Sequence, residues 1–370
     1  MNSLGSHVAE LATLPRYRID RSYDWNYEHA PDPLELELAQ VPGNWQFCGL
    51  AVDSPLGMPA GPLLNGRWVL YYASLGFDVL TYKTVRSRAR DCYAMPNLVP
   101  VQSGSLWGGE PTRTAAEAMD GSWAVSFGMP SKDPSVWRAD VEATRRALPS
   151  GKLLSVSVVA TEQPGWNRDD LAADYAKCAR WAMEAGADCV ETNFSCPNVD
   201  TCDGSLYQDP EGSAAVAARV RAEIRNAPYI IKIGRVLDPQ AAEAFIAAVE
   251  PYADALAMTN SIATQVRDSQ GAMMFDAQPR GICGRATFEA SLDQVAMFRK
   301  IATSRKAAGG REKPLALIGV GGAATAADVL QYLEAGAQAV HVATAAMVEP
   351  GLALDLRRDL ADRLTQGRPR

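Results

Sequence analysis

Positive charge is the first thing in short supply: 36 Lys and Arg stand against 43 Asp and Glu, a formal net charge of −7. With no basic surplus, nucleic acid and anionic lipid are not expected partners. Long hydrophobic runs are also missing, since no stretch approaches the ~18 uninterrupted apolar residues of a membrane span. The N-terminal segment lacks a basic region followed by an apolar one, so no secretory leader is read there. The expectation is a cytoplasmic protein without membrane contact. Histidine is scarce, with His7, His29 and His341 far apart. The seven cysteines include no Cys-x-x-Cys pair, so no metal site is expected. An odd number of scattered cysteines in such a chain reads as reduced thiols.

What the sequence does carry is a repeat of short apolar runs and amphipathic stretches from about residue 57 onward, the pattern of βα units around a parallel sheet. Strands are expected near 57–61, 78–85, 152–160, 189–195, 229–234, 255–261, 315–322 and 339–345. Eight such runs close an α/β (β/α)8 (TIM) barrel, which is preferred over a doubly wound open sheet. Between them, Leu171, Tyr175, Cys178 and Ala182 recur at the spacing of one buried helical face, and Gly186 supplies a stop. Residues 1–48 read as an N-terminal extension and 49–370 as the barrel. The stretch 45–57 reads as a hairpin leading into the first barrel strand. A long insertion after the second strand, 86–134, reads either as a lid or pocket wall on the catalytic rim or as a plain surface insertion.

Polar residues stand at or near the ends of these runs: Lys83, Asn193, Cys196, Lys232, Asn260 and Ser261. In a barrel those positions share one mouth. A lysine in a buried strand costs several kcal/mol unless it meets an anion or an acceptor. Lys83 and Lys232 together therefore point to an electron-rich ligand. Gly321 and Gly322 end one strand before a helix, offering bare N–H groups to a phosphate, with Ala343 and Thr344 in the next strand as the second half of that cradle.

Taken together, "NFSCPN" (193–198), "IIKIG" (230–234), "MTNS" (258–261), "IGVGG" (318–322) and "SFGMPS" (126–131) resemble the dihydroorotate dehydrogenase superfamily, FMN enzymes on a (β/α)8 barrel. The likeness runs over about residues 46–350 and is strongest at "NFSCPN", which looks like the class 1 enzymes with a cysteine base. The resemblance implies that Ala60 and Gly61 lie against the flavin and that Lys83 and Lys232 hydrogen-bond its ring. By the same likeness Gly284, Gly321, Gly322 and Thr344 hold its phosphate. It further implies that Asn193, Asn198, Asn260 and Ser261 grip a small-molecule substrate while Cys196 takes a proton. A homodimer and an electron-transfer partner are implied as well. The expected reaction is oxidation of a CH–CH bond beside a carbonyl, on dihydroorotate or a related dihydropyrimidine or cyclic amide. Where the family begins and ends one motif with asparagine, this chain has Val125 and Ser131, which points toward a substrate other than dihydroorotate. A dihydrouridine synthase-like enzyme and a flavin-binding sensor or scaffold without turnover are the alternatives.

Overall fold

The structure is a computed structural model, and it describes residues 13–102, 104–195, 205–307 and 315–366. Its centre is a closed parallel barrel whose strands follow one another in chain order. They are β1 (Leu56–Met58), β2 (Val79–Val85), β3 (Leu153–Val158), β4 (Cys189–Asn193), β5 (Tyr229–Lys232), β6 (Ala255–Met258), β7 (Ala316–Val320) and β8 (Ala339–His341). All eight expected strands are present. The helices around them are α1 (Gly66–Ser74), α2 (Pro134–Ala147), α3 (Arg168–Glu184), α4 (Pro210–Ile224), α5 (Pro239–Val249), α6 (Phe288–Ala307), α7 (Ala326–Glu334) and α8 (Leu352–Gln366). On α3 the face read from the sequence, Leu171, Tyr175, Cys178 and Ala182, is buried, and Gly186 takes a positive φ of 94° just past its end.

Strand side chains alternate between two cores, as the two-residue period requires. Leu80, Tyr82, Leu154, Val156, Val190 and Ile231 join the core under the helices. Val79, Leu153, Cys189, Ile230, Ala257 and Ala339 fill the barrel interior instead. The same parity turns Thr81 and Lys83 on β2, Ser155 and Ser157 on β3, Glu191 and Asn193 on β4, Lys232 on β5 and His341 on β8 toward the inside. The interior is therefore apolar low down and polar above.

The hairpin expected before β1 forms, with Trp45–Phe47 antiparallel to Leu50–Val52. Its Phe47 is buried in the interior core and stacks on His341 at 5.8 Å between ring centroids. The segment before it is tied to the barrel: Trp68 Nε1 donates to Asn26 O (2.9 Å) and Asn65 Nδ2 to Tyr27 O (2.7 Å).

The insertion after β2 is more ordered than an irregular lid. Leu98–Pro100, Thr112–Thr114 and Ser122–Val125 join Ile262–Arg267 and Arg280–Gly284 in a five-stranded sheet. Those last two strands belong to a second excursion, between β6 and α6, that the sequence reading passed over. Val125 pairs there with both Gly281 and Leu98. One rim structure is thus assembled from two distant stretches of chain.

Candidate active site

Above the polar tier, at the carboxyl ends of the strands, lies a cavity of about 590 Å³ roofed by the five-stranded sheet. Gly61, Lys83, Asn193, Lys232, Asn260 and Ser261 line it. So do Gly284, Gly321, Gly322 and Thr344 on its far side, and Val125 in its wall. These residues, picked out along some 280 positions, meet in one place. Ala60 differs: it is buried, and the wall there is formed by Pro59, Gly61 and Pro62. Cys196 and Asn198 lie outside the described residues.

The last described residue before them, Ser195, is held on both sides. Its N–H donates to Asn193 Oδ1 at 3.1 Å, and its carbonyl accepts from Asn260 Nδ2. Asn193 is fixed in turn, since its carbonyl accepts from Tyr175 Oη at 3.1 Å and its Nδ2 approaches Met129 Sδ at 3.5 Å. Two of the expected amide side chains, one on β4 and one in the turn after β6, thus hold Ser195 between them.

Both lysines are buried, Lys83 at 8 % exposure and Lys232 at 5 %. Lys83 Nζ stands 5.0 Å from the centroid of the Phe127 ring, a cation–π contact in the cavity wall. Lys232 Nζ lies 3.6 Å from Glu191 Oε1, itself only 1 % exposed. Burial first, and then the Lys232 charge, pull His341 down to about 3, so its imidazole is neutral at any physiological pH. Burial pushes the Cys283 thiol up to about 11, against hydrogen bonds to Thr344 and Trp123, which makes it a poor base.

The glycine side of the cavity is built too tightly for other residues. A Cβ on Gly284 would fall 2.2 Å from Gly121 O, and one on Gly321 would fall 2.3 Å from Ser291 Oγ. Both glycines have positive φ, 95° and 137°. Gly61 is the opposite case: a Cβ there meets nothing within 4 Å. Arg285, missed in the sequence because it merely follows Gly284, lines the same end and pairs with Asp328 at 3.0 Å. Phe127, Met129 and Trp123 supply apolar wall and were visible only as part of the "SFGMPS" stretch or not at all. Among the described residues no group of three His, Cys, Asp or Glu is placed to hold a metal ion, and no helix is long and apolar enough to cross a membrane.

Fold and site define a (β/α)8-barrel enzyme that works on a small molecule at the carboxyl ends of its strands. Comparison narrows the class. The family model described as dihydroorotate dehydrogenase matches residues 44–364. A dihydroorotate dehydrogenase of Dictyostelium discoideum is 31% identical, over 92% of this chain and 96% of its own. The catalytic subunit of a dihydroorotate dehydrogenase B (NAD(+)) from Desulforudis audaxviator is 33% identical over 86% and 92%. In fold, a crystal structure of an Eimeria tenella DHODH in complex with ferulenol superposes with a TM-score of 0.72 at 19% identity, covering 96% of this chain and 94% of that one. The chain belongs to the dihydroorotate dehydrogenase family and is an oxidoreductase acting on a CH–CH bond.

Proposed function

We propose that this cavity binds FMN non-covalently and oxidises dihydroorotate, or a dihydropyrimidine or cyclic amide of similar shape. The observation that carries the reading is the meeting of two buried lysines from separate strands with the Gly284, Gly321 and Gly322 cradle in one cavity. The donor set fits the group: cations for an anionic ring, bare backbone for a phosphate, and a volume within the usual range for a bound small molecule. When bound, FMN supplies the acceptor for the hydride that leaves the substrate. Lys83 and Lys232 hold positive charge beside the ring, Gly284, Gly321, Gly322 and Thr344 hold the phosphate, and Gly61 leaves room for the ring itself.

Asn193, Asn260 and Ser261, with Asn198 following in the sequence, present amide and hydroxyl groups to the substrate's carbonyl and N–H edges. Cys196 removes the proton from the carbon next to the one that gives up hydride, so that proton and electron pair leave in one oxidation. Electrons then pass to an external acceptor. The Desulforudis relative is named as a catalytic subunit with NAD(+), which supports an electron-transfer partner here. Mass spectrometry of the released chromophore tests the cofactor, and anaerobic bleaching of bound flavin by dihydropyrimidines tests the substrate class. FAD in place of FMN, or bleaching by none of the dihydropyrimidines and cyclic amides tried, overturns the reading.

A further inference from the structure

The polar tier inside the barrel lies below the residues that the proposed reaction uses. Thr81 Oγ1, Ser155 Oγ, Glu191 Oε1 and both ring nitrogens of His341 are buried there without a hydrogen-bond partner. Groups of this kind are costly to bury unless something compensates them. Glu191 is the most expensive, a carboxylate at 1 % exposure in the middle of a barrel. Its one opposite charge within 4 Å among the described residues is Lys232, on the neighbouring strand. The register puts Ile230 beside Glu191 and Lys232 beside Asn193, so the two side chains share the interior face one step apart. At 3.6 Å the contact is a charge pair without a short hydrogen bond. His341, neutral and stacked on Phe47, adds a dipole to this tier but no charge.

We propose that Glu191 is a positioning residue: its buried carboxylate is the counter-charge that holds the Lys232 ammonium at the floor of the cavity and moderates its pull on a ring bound above. The inference rests on the reading of the cavity as a flavin site. Without Glu191, Lys232 is a lone buried cation: in the empty cavity burial favours its neutral amine, whereas beside an anionic reduced ring, which itself favours the ammonium, its positive charge is no longer offset by a carboxylate. With Glu191 in place, the carboxylate 3.6 Å away partly offsets the Lys232 ammonium, a setting that binds the oxidised ring without making its reduced form excessively stable.

Two readouts on Glu191→Gln test this. On flavin-free full-length protein at pH 8, acetic anhydride labelling of Lys232, read by peptide mass spectrometry, is expected to rise about 10-fold, because losing an adjacent opposite charge releases neutral amine. Lys83 serves as the control, and Glu191→Asp is expected to restore labelling to near the wild-type rate. On the flavin-loaded protein, reduced flavin is expected to bind about 10-fold more tightly relative to oxidised, which is about +30 mV in the two-electron potential. An unchanged Lys232 labelling rate overturns the proposal, and so does an unchanged potential. If the wild type binds no flavin, the functional reading fails while the labelling comparison still decides the pairing. Should Glu191→Gln not fold, the double variant Glu191→Gln with Lys232→Met removes both charges. Recovery of folding supports the pair, and failure to recover overturns it.

Discussion

Asp78 and Arg357, 279 positions apart in the chain, are joined by an ion pair of 2.6 Å that is closed to solvent on both sides. Lys152 also reaches Asp78, at 2.7 Å, and the Ser54 hydroxyl donates to the same carboxylate. Arg357 Nε further donates to Ala39 O at 2.8 Å. One carboxylate at the start of β2 thus ties the last helix, β3 and the N-terminal segment together below the barrel.

Removing that carboxylate charge leaves two buried cations without their partner. Asp78→Asn is therefore expected to lower stability by about 3–5 kcal/mol. Urea unfolding followed by circular dichroism checks it, and a loss under about 1 kcal/mol would mean that water reaches the cluster.

How far the sequence disclosed all this depended on the range of each signal. The βα units were legible because each carries its own pattern: on α3, Leu171 to Ala182 mark a face within one helix, and β2 to β8 are short runs of buried residues. Lys83, Asn193 and Lys232 were legible as polar breaks at the ends of those runs. The strand Ile262–Arg267 alternates buried and exposed side chains but was missed, because its partners, Thr112–Thr114 and Arg280–Gly284, are set by pairings that no local window contains. Glu191 was hidden for a related reason. In "CVETNFS" it is one polar residue among several, and only strand parity, together with Lys232 on the next strand, gives it meaning.

Two glycines separate cavity volume from backbone strain. Gly61→Leu adds a side chain where a Cβ meets nothing within 4 Å, so the protein is expected to fold with near-normal stability and lose FMN affinity by more than about 10-fold as the cavity fills. Gly321→Ala places a methyl against Ser291 Oγ at positive φ, so it is expected to destabilise the fold by about 1–3 kcal/mol as well. Flavin titration and thermal melting of both variants distinguish the two effects.

His341 gives a pH signature. Its folded value of about 3 lies below the ordinary 6.5, so between these limits the unfolded chain takes up a proton that the native state refuses. Stability contributed by the neutral ring is present above about pH 6.5 and is lost as pH falls toward 3, at up to about 1.4 kcal/mol per pH unit. His341→Gln, which cannot titrate, is expected to flatten that part of the profile. Denaturant unfolding at a series of pH values from neutral to 4 measures it. Parallel profiles for the variant and the wild type would show that the ring does not govern acid sensitivity.

Val125 lines the cavity where the family resemblance calls for an asparagine. A valine offers no amide to the substrate, and one such hydrogen bond is worth roughly 1–3 kcal/mol. Val125→Asn is therefore expected to raise kcat/KM for dihydroorotate by about ten- to a hundredfold. Ser131, at the other end of the motif, is already engaged, accepting from the Arg86 N–H and donating to Lys132 O, so changing it to asparagine is expected to do far less. Equal responses at the two positions would show that the substrate does not read Val125.

The thiol remains the most informative target. Ser195, which precedes it in the sequence, is hydrogen-bonded to both Asn193 and Asn260. A cysteine with an ordinary value near 8.5 can serve as a base around neutral pH, whereas a serine hydroxyl is far weaker unless another group takes its proton. Cys196→Ser is expected to keep FMN affinity, because the proposed flavin contacts lie on other residues. Substrate-driven flavin reduction is expected to fall by roughly 10²- to 10⁴-fold, the usual share of a positioned base. In the wild type that step should quicken as pH rises through the thiol range, and in the variant this limb should move to higher pH. Stopped-flow bleaching across pH measures both. A variant that reduces its flavin at the wild-type rate with the same pH profile would remove Cys196 from the chemistry and leave the proton to a group not yet assigned.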